Sequence, residues 1–310
     1  MLDRRIELLR VLEKAGTITE AAELLQRSVS GYSRQLRSLA DELGFELLEH
    51  QGRGVRLTTA AKRLVEFAND TVAAWEKTKA SLTEDAAQVT GLLRIGAHPT
   101  ALSQLVIPHL REMEAQYPLL QFRLSEVEVP ECFDQLVVDE LDVCIVVAHA
   151  GVPPVGDRRF YQQRLVEEPI DALVSSTSSL AERKTIELSE LSGYPWVLPG
   201  VGQPGRDEIL GACHAAGFVP SATHHGHTTQ SVADLIEATG AVSLTSRFAR
   251  YGAQAVRIPV AGQPAPSRQL LICTRKGSET IAPVQTLRQL TTDRLLVKHD
   301  EGGDREERTL

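Results

Sequence analysis

Residues 17–58 read TITEAAELLQRSVSGYSRQLRSLADELGFELLEHQGRGVRLT, and this stretch decides the fold. Gly16 ends a preceding helix, and Thr17 with Glu20 has capping-box spacing. Ala21, Ala22, Leu24 and Leu25 make a short apolar patch. Arg27-Ser28-Val29 then reads as a tight turn, with Ser28 the N-cap of a second helix. Tyr32, Leu36, Leu39 and Leu43 recur at i, i+4, i+7 and i+11 and so share one face. Ser30, Ser33, Arg34 and Arg37 project from the opposite face, which carries no acid. Arginine pairs bidentately with guanine, and serine reaches either a base or a phosphate. A helix held by leucines on one side and presenting Ser and Arg on the other suits a DNA groove. An ordinary amphipathic helix has the same periodicity; the turn and the caps on its flanks favour the groove reader.

Downstream, Gln51-Gly52-Arg53-Gly54 separates Leu47-Leu48 from Val55-Arg56-Leu57, the spacing of a hairpin. Arg53 falls at its tip, where a guanidinium can enter a narrow minor groove; the competing reading is a solvated surface turn. The formal charge of −8 over 310 residues does not by itself point to nucleic acid. From Arg27 to Arg63, however, seven bases stand against four acids, and the acids lie away from the reading face. The 42% apolar and 24% charged composition is that of a globular chain with room for two or three domains. Met1-Leu2-Asp3-Arg4-Arg5 leads into an amphipathic helix, so no signal peptide is expected, and no apolar run reaches the roughly 20 residues that span a bilayer. A cytoplasmic protein is expected. Cys132, Cys144, Cys213 and Cys273 are far apart without a Cys-x-x-Cys, which reads as four buried, reduced thiols. A redox role would point first to Cys213, beside His214.

Thr58 is placed to cap a long helix running to about Gln88. In it Ala61, Leu64, Ala68, Thr71, Trp75, Thr78 and Leu82 alternate steps of three and four, a seam for another helix. The expected use is dimerisation, since dimeric readers match paired half-sites; Leu64, Ala68, Trp75 and Leu82 are the chosen contacts. From Gly91 the pattern turns to strands alternating with helices, which implies a mainly parallel sheet. Expected strands are Leu92–Ala97, Leu120–Leu124, Val143–Val147, Ala172–Val174, Trp196–Leu198, Ala222–His225, Val242–Leu244, Val256–Pro259 and Leu270–Cys273. One helix is expected from Thr100 to Gln116.

The chain resembles the LysR-type transcriptional regulators from Asp3 to about Leu296. The resemblance is carried by Ala21-Ala22-x-x-Leu25, Ser33-Arg34-Gln35-Leu36-Arg37-x-Leu39 and Gly52-Arg53-Gly54-Val55-Arg56-Leu57-Thr58. It continues in Leu93-Arg94-Ile95-Gly96 and Leu141-Asp142-Val143-Cys144-Ile145. Val29 and Ser30 stand where the family has Gln or Pro, Tyr32 where a smaller aliphatic is usual, and Ala40, His50 and Ser246 replace a usual Glu, Arg and Pro. The resemblance implies an α+β chain of three parts. A winged helix-turn-helix (1–58) and a linker helix (59–89) precede a two-lobed α/β effector domain (90–297), similar to periplasmic binding proteins. Lobe one is placed at 91–162 and 267–297, lobe two at 163–266, and 298–310 as a disordered tail. It further implies DNA contact by Ser33, Arg34 and Arg53, to which the face adds Ser30, Arg37 and Arg56.

Ligands of open α/β sheets bind beyond the carboxyl ends of strands, often at helix N-termini. Pro99 and Thr100, His149, Gln203, and Thr228 occupy four such segments. In the family the first, third and fourth segments line the inducer cleft, so Thr100, Gln203 and Thr228 lead. Hydroxyls and helix N-termini favour a small anion, although such hydroxyls also serve simply as caps. Gly200-Val201-Gly202-Gln203-Pro204-Gly205 matches G-x-G-x-x-G formally, but no acid follows at the distance a dinucleotide needs. His224, His225 and His227, with His98 and His149, would suit a metal, but hydrogen-bonding or solvated histidines explain them more simply, and neither metal nor cofactor is expected. No nucleophile elbow, His-Glu-x-x-His or phosphate loop is present, which argues against an enzyme or ligand carrier whose N-terminal helices serve assembly. The expected partners are an operator duplex, a small-molecule effector, further copies of the chain as dimer or tetramer, and RNA polymerase, with no membrane. A regulator that needs no ligand is the remaining alternative.

Overall fold

The computed structural model describes residues 3–51, 54–84, 89–203, 205–226, 228–262 and 265–303. Three helices come first: α1 (Arg4–Ala15), α2 (Ile18–Leu24) and α3 (Val29–Leu43). Each starts on a side chain that accepts a backbone N–H: Asp3 from Arg5, Thr17 from Glu20 and Ser28 from Gly31. Gly16 and Gly44 close α1 and α3 in the left-handed region, at φ 80° and 75°. Leu8, Leu9 and Leu12 of α1, Ala21 and Ala22 of α2, and Tyr32, Leu36 and Leu39 of α3 form one core. The Tyr32 hydroxyl donates to the Leu8 carbonyl, so the ring fills the core while its polar tip is satisfied by α1. Leu43, expected in that stripe, lies in the last turn of α3 and is 38% exposed. A hairpin of β1 (Leu48–Gln51) and β2 (Gly54–Leu57) follows, then the 26-residue α4 (Thr59–Glu84), with the Thr58 hydroxyl accepting from Ala61 N.

The expected seam of α4 is divided. Ala61, Val65 and Ala68 are sealed into the core of the first three helices, Leu64 packs against it, and Arg10 Nε donates to Asn69 Oδ1 at 2.7 Å. Ala68 and Leu64 therefore serve their own domain, because α1 already covers that side. Trp75 and Leu82 stand open at 57% and 63% exposure, as does Phe67 at 58%, a residue outside the expected seam.

The second half contains β3 (Gly91–Ala97), α5 (Pro99–Ala101), α6 (Leu110–Gln116), β4 (Leu120–Glu126), α7 (Glu131–Val137) and β5 (Val143–Val147). It continues through β6 (Phe160–Ser175), β7 (Ile186–Glu187), β8 (Pro195–Leu198), α8 (Arg206–Ala215), β9 (Ser221–His225) and α9 (Thr229–Thr239). It ends with β10 (Ser243–Ser246), β11 (Ala255–Ala261), β12 (Ser267–Arg275) and α10 (Ala282–Gly303). The single helix expected over 100–116 is interrupted by a π turn at Leu102–Val106 and a 3-10 turn at Ile107–His109. Pro108 lacks the N–H that a regular helix needs there. α10 runs to Gly303, so 298–303 are helical and not a disordered tail; 304–310 lie outside the described residues.

The chain divides into two compact units, one of residues 1–165 with 271–310, the other of 166–270. In the first, the strand order is β4-β3-β5-β12, with β3 parallel to both β4 and β5. β5 is buried at every position, which explains its unbroken apolar sequence. In the second unit β6 pairs antiparallel with β10 and β11, β11 pairs parallel with β7, and β8 with β9 forms a separate parallel pair. Within the first unit α4 is held to the segment after β12. Ser278 Oγ donates to buried Glu76 Oε2 at 2.7 Å, and Lys79 Nζ lies 2.6 Å from Glu76 Oε1. Gly277, at φ 96°, comes so close that a Cβ there would stand 2.2 Å from the Ala73 carbonyl oxygen, which only glycine permits.

Candidate nucleic-acid interface and effector residues

The outer face of α3 is built by what its inner face does. With Tyr32, Leu36 and Leu39 buried, the 3.6-residue period turns Ser30, Arg34 and Arg37 to solvent and leaves Ser33 half-buried at the edge. Neither Arg34 nor Arg37 pairs with an acid among the described residues. Contrary to expectation the outer face carries one acid, the exposed Asp41 near its C-terminal end, one and two helical turns beyond Arg37 and Arg34, whereas Glu42 Oε2 is 2.5 Å from Arg5 Nη2, on α1. Arg27 Nη1 donates to Gln35 Oε1 at 2.8 Å, bracing the turn before the helix. Val29, an apolar residue beside these polar groups, opens the helix at 44% exposure. What this face offers is a pair of uncommitted guanidinium forks with hydroxyls beside them, the donor set that reads base edges and phosphates.

On the wing, Arg56 faces Glu49 across the hairpin and its Nε donates to Glu49 Oε1 at 2.6 Å. Arg56 is thus partly neutralised, unlike Arg34 and Arg37. Arg53 lies outside the described residues.

The effector candidates fall in both units. In the first, His98 at the end of β3 accepts from Thr100 N through Nδ1 at 3.3 Å, and its Nε2 lies 3.5 Å from Glu128 Oε1. Pro99 is exposed, and the half-buried Thr100 hydroxyl has no partner among the described residues. His149, after β5, is exposed and its Nδ1 accepts from Gly151 N at 3.1 Å, closing a turn. In the second unit, Gln203 is exposed before α8, and its side-chain amide has no partner among the described residues. α8 begins at Gly205, which supplies no capping side chain, and its first turn carries Asp207 and Glu208. Thr228 is fully used as a cap: its hydroxyl accepts from Ser231 N at 3.1 Å while Ser231 Oγ accepts from Thr228 N at 3.2 Å. Half-buried His224 and exposed His225 lie on β9, and His227 lies outside the described residues. Among the described residues no group of three or more His, Cys, Asp or Glu is disposed around a metal.

Two family descriptions match the chain: "Bacterial regulatory helix-turn-helix protein, lysR family" over residues 4–62 and "LysR substrate binding domain" over residues 86–296. The chain belongs to the LysR family. It is a transcriptional regulator with a DNA-binding helix-turn-helix and an effector-binding domain. This LysR regulator is 26% identical over 280 residues to the DNA-binding transcriptional dual regulator OxyR of Escherichia coli K12, covering 89% of this chain and 90% of that one. It is 27% identical over 234 residues to the transcriptional dual regulator GltC of Bacillus subtilis, covering 74% and 77%. A full-length cysteine-to-aspartate variant of OxyR from Pseudomonas aeruginosa has the same fold, with a TM-score of 0.62, 20% identity and 93% of each chain covered.

The cysteines of this LysR regulator are arranged for packing. Cys132 of α7, Cys144 of β5 and Cys273 of β12 meet in one buried core, a gathering that their wide sequence spacing hides. Bonding to Cys132 and Cys273, with burial, pushes the Cys144 thiol well up. Cys213, the candidate for a redox role, is the one cysteine of the second unit's sequence. It is fully buried, and burial pushes its thiol up to about 12, the reverse of what a reactive thiolate needs.

Proposed function

We propose that this LysR regulator reads an operator duplex through Ser30, Ser33, Arg34 and Arg37 of α3, with Arg53 and Arg56 of the wing contacting the flanking backbone or minor groove. The observation that carries the reading is the exposed pair Arg34 and Arg37 on the outer face of α3, neither of which is paired among the described residues. Every buried group on the inner face is apolar or satisfied, so the outer face is presented on a rigid scaffold. Two copies of the chain supply the two half-sites. Their contact runs along the open stripe of α4, where Phe67, Trp75 and Leu82 expose large apolar surface. A small anion acts as effector within the 90–297 domain; Thr100 of the first unit and Gln203 of the second, whose polar groups have no partner among the described residues, are each better candidates to meet it than Thr228. Pro99 and His149 border the same strand ends. The protein works in the cytoplasm, with RNA polymerase as its downstream partner, and carries out no catalysis.

The decisive experiment is capture of genomic fragments on the purified full-length protein, followed by binding of the selected duplex to wild type and to the Arg34→Ala/Arg37→Ala variant. Selection of discrete sites, lost in the double variant, supports the reading. Selection of no site, or equal binding by the folded double variant, overturns it.

A further inference from the structure

The second unit contains a buried ion pair that is only half explained by its own fold. Glu168 of β6 is fully buried, and Arg268 of β12 reaches its Oε2 with Nε at 2.5 Å. Ser246, at the end of β10, donates its hydroxyl to the other carboxylate oxygen and accepts from Phe248 N at 3.0 Å. Both oxygens of Glu168 are therefore satisfied. Arg268 is not: its Nη2 is buried and finds no acceptor among the described residues, in a side chain only 12% exposed. A guanidinium engages a carboxylate side-on with Nε and one Nη together; here Nε acts alone. A buried charged donor without an acceptor is costly, and in native structures such a donor is met by water, an ion or a ligand.

The Tyr251 hydroxyl meets that of Thr245. Burial raises the Tyr251 pKa, opposed by the Thr245 bond and by the cations of Arg257 and Arg268, so the Arg268 charge reaches the phenol. Glu168 and Arg268 each stand two residues inside the points where the chain enters and leaves the unit, at residues 166 and 270.

We propose that Arg268 anchors an anion subsite in the second unit, donating from Nη2 to a carboxylate oxygen of a small-molecule effector, with Glu168 and Ser246 as positioning residues that hold the guanidinium. Because Glu168 already offsets the cation, a singly charged carboxylate fits better than a phosphate dianion. The assignment rests on the reading of an anionic effector given above and supplies the residue and ligand class for it.

The test follows thermal unfolding of the full-length protein while acetate, succinate, benzoate, sulfate and inorganic phosphate are titrated at matched ionic strength. Operator binding serves as the check on folding. At least one carboxylate should raise the wild-type Tm. The concentration for half the rise should increase at least tenfold in Arg268→Gln and by an intermediate factor in Arg268→Lys, which keeps the charge but loses the fork. Should Arg268→Gln fail to bind the operator, Arg268→Lys carries the comparison. Equal titrations in wild type and variants remove Arg268 from the site and leave an anionic effector standing. A response to sulfate or phosphate alone overturns the carboxylate assignment. No response to any anion, with operator binding intact, means that Nη2 holds only water; the subsite and the anionic effector then both fall, and the DNA reading survives.

Discussion

The outer face of α3 and the turns that start the effector-domain helices carry the same residue types, hydroxyls and polar nitrogens at helix N-termini or on helix faces, yet they differ in what those groups already do. On α3 the guanidiniums of Arg34 and Arg37 are bonded to no described side chain. At α9 the hydroxyl of Thr228 is engaged by Ser231, and at the end of β5 the Nδ1 of His149 is engaged by Gly151. A polar group that the fold has satisfied holds the protein together; a polar group left open is available to a partner. Removing the first kind should appear in stability, and removing the second in affinity.

The largest effect expected from this division is on DNA. Arg34→Ala with Arg37→Ala should weaken operator binding by on the order of 100-fold, from about 1–3 kcal/mol per arginine engaged with a base. The salt slope should flatten by about 2. Fluorescence anisotropy at several salt concentrations measures both, and a melting temperature that falls in step with affinity would break the division.

Asp142 is the opposite case. It accepts from Arg94 Nε at 2.9 Å and Nη2 at 2.8 Å, and from Arg275 Nη2 at 2.9 Å. Burial pushes its carboxyl up, but the bonds from Arg94 and Arg275 outweigh burial and hold it below the usual range. A lowered carboxyl contributes stability above its unfolded pKa and loses it as pH falls through the folded value. Asp142→Asn should therefore cost roughly 2 kcal/mol at neutral pH and flatten the loss of stability below about pH 4. Urea titrations across pH settle this; an unchanged acid limb would show that Asp142 is not the group responsible.

Tyr32→Phe removes the hydroxyl that meets Leu8 and should cost about 1 kcal/mol of stability, while operator affinity per folded molecule stays the same. Thr228→Ala should cost a similar or smaller amount, about 1 kcal/mol, with Thr228→Ser retaining it. If Thr228→Ala instead keeps full stability and abolishes an anion-induced rise in Tm, Thr228 is a ligand contact and the division sharpens to exclude that helix.

The helix-turn-helix was legible because its signals are local and mutually consistent. Ser28 caps, Gly44 stops, and the leucine stripe fixes which side is free. β5 was legible at its exact length because a fully buried parallel strand must be apolar throughout. β6 was recognised only at Ala172–Val174 although it spans Phe160–Ser175. Its first half, through Tyr161, Gln162, Gln163 and Glu167, is only partly buried and carries no alternation to read. The division of α4 was hidden for a different reason. A seam of period 3.5 does not say which of its members another part of the same chain has already covered, and α1 covers Ala68. Arg268 escaped notice because its partner lies 100 residues away and its open donor is a property of geometry, not of residue type.

The path of the chain through the two units also sets an order of events during synthesis. β5 has β12 as its neighbour in the sheet, yet residues 166–270 must leave the ribosome before β12 is complete. The second unit emerges whole while the first still lacks a strand, so a nascent chain carries an unfinished sheet edge for the time it takes to translate that insertion. Slow codons or truncations within 166–270 would prolong exposure of that edge, and aggregation during expression should track that interval more than the stability of the finished protein.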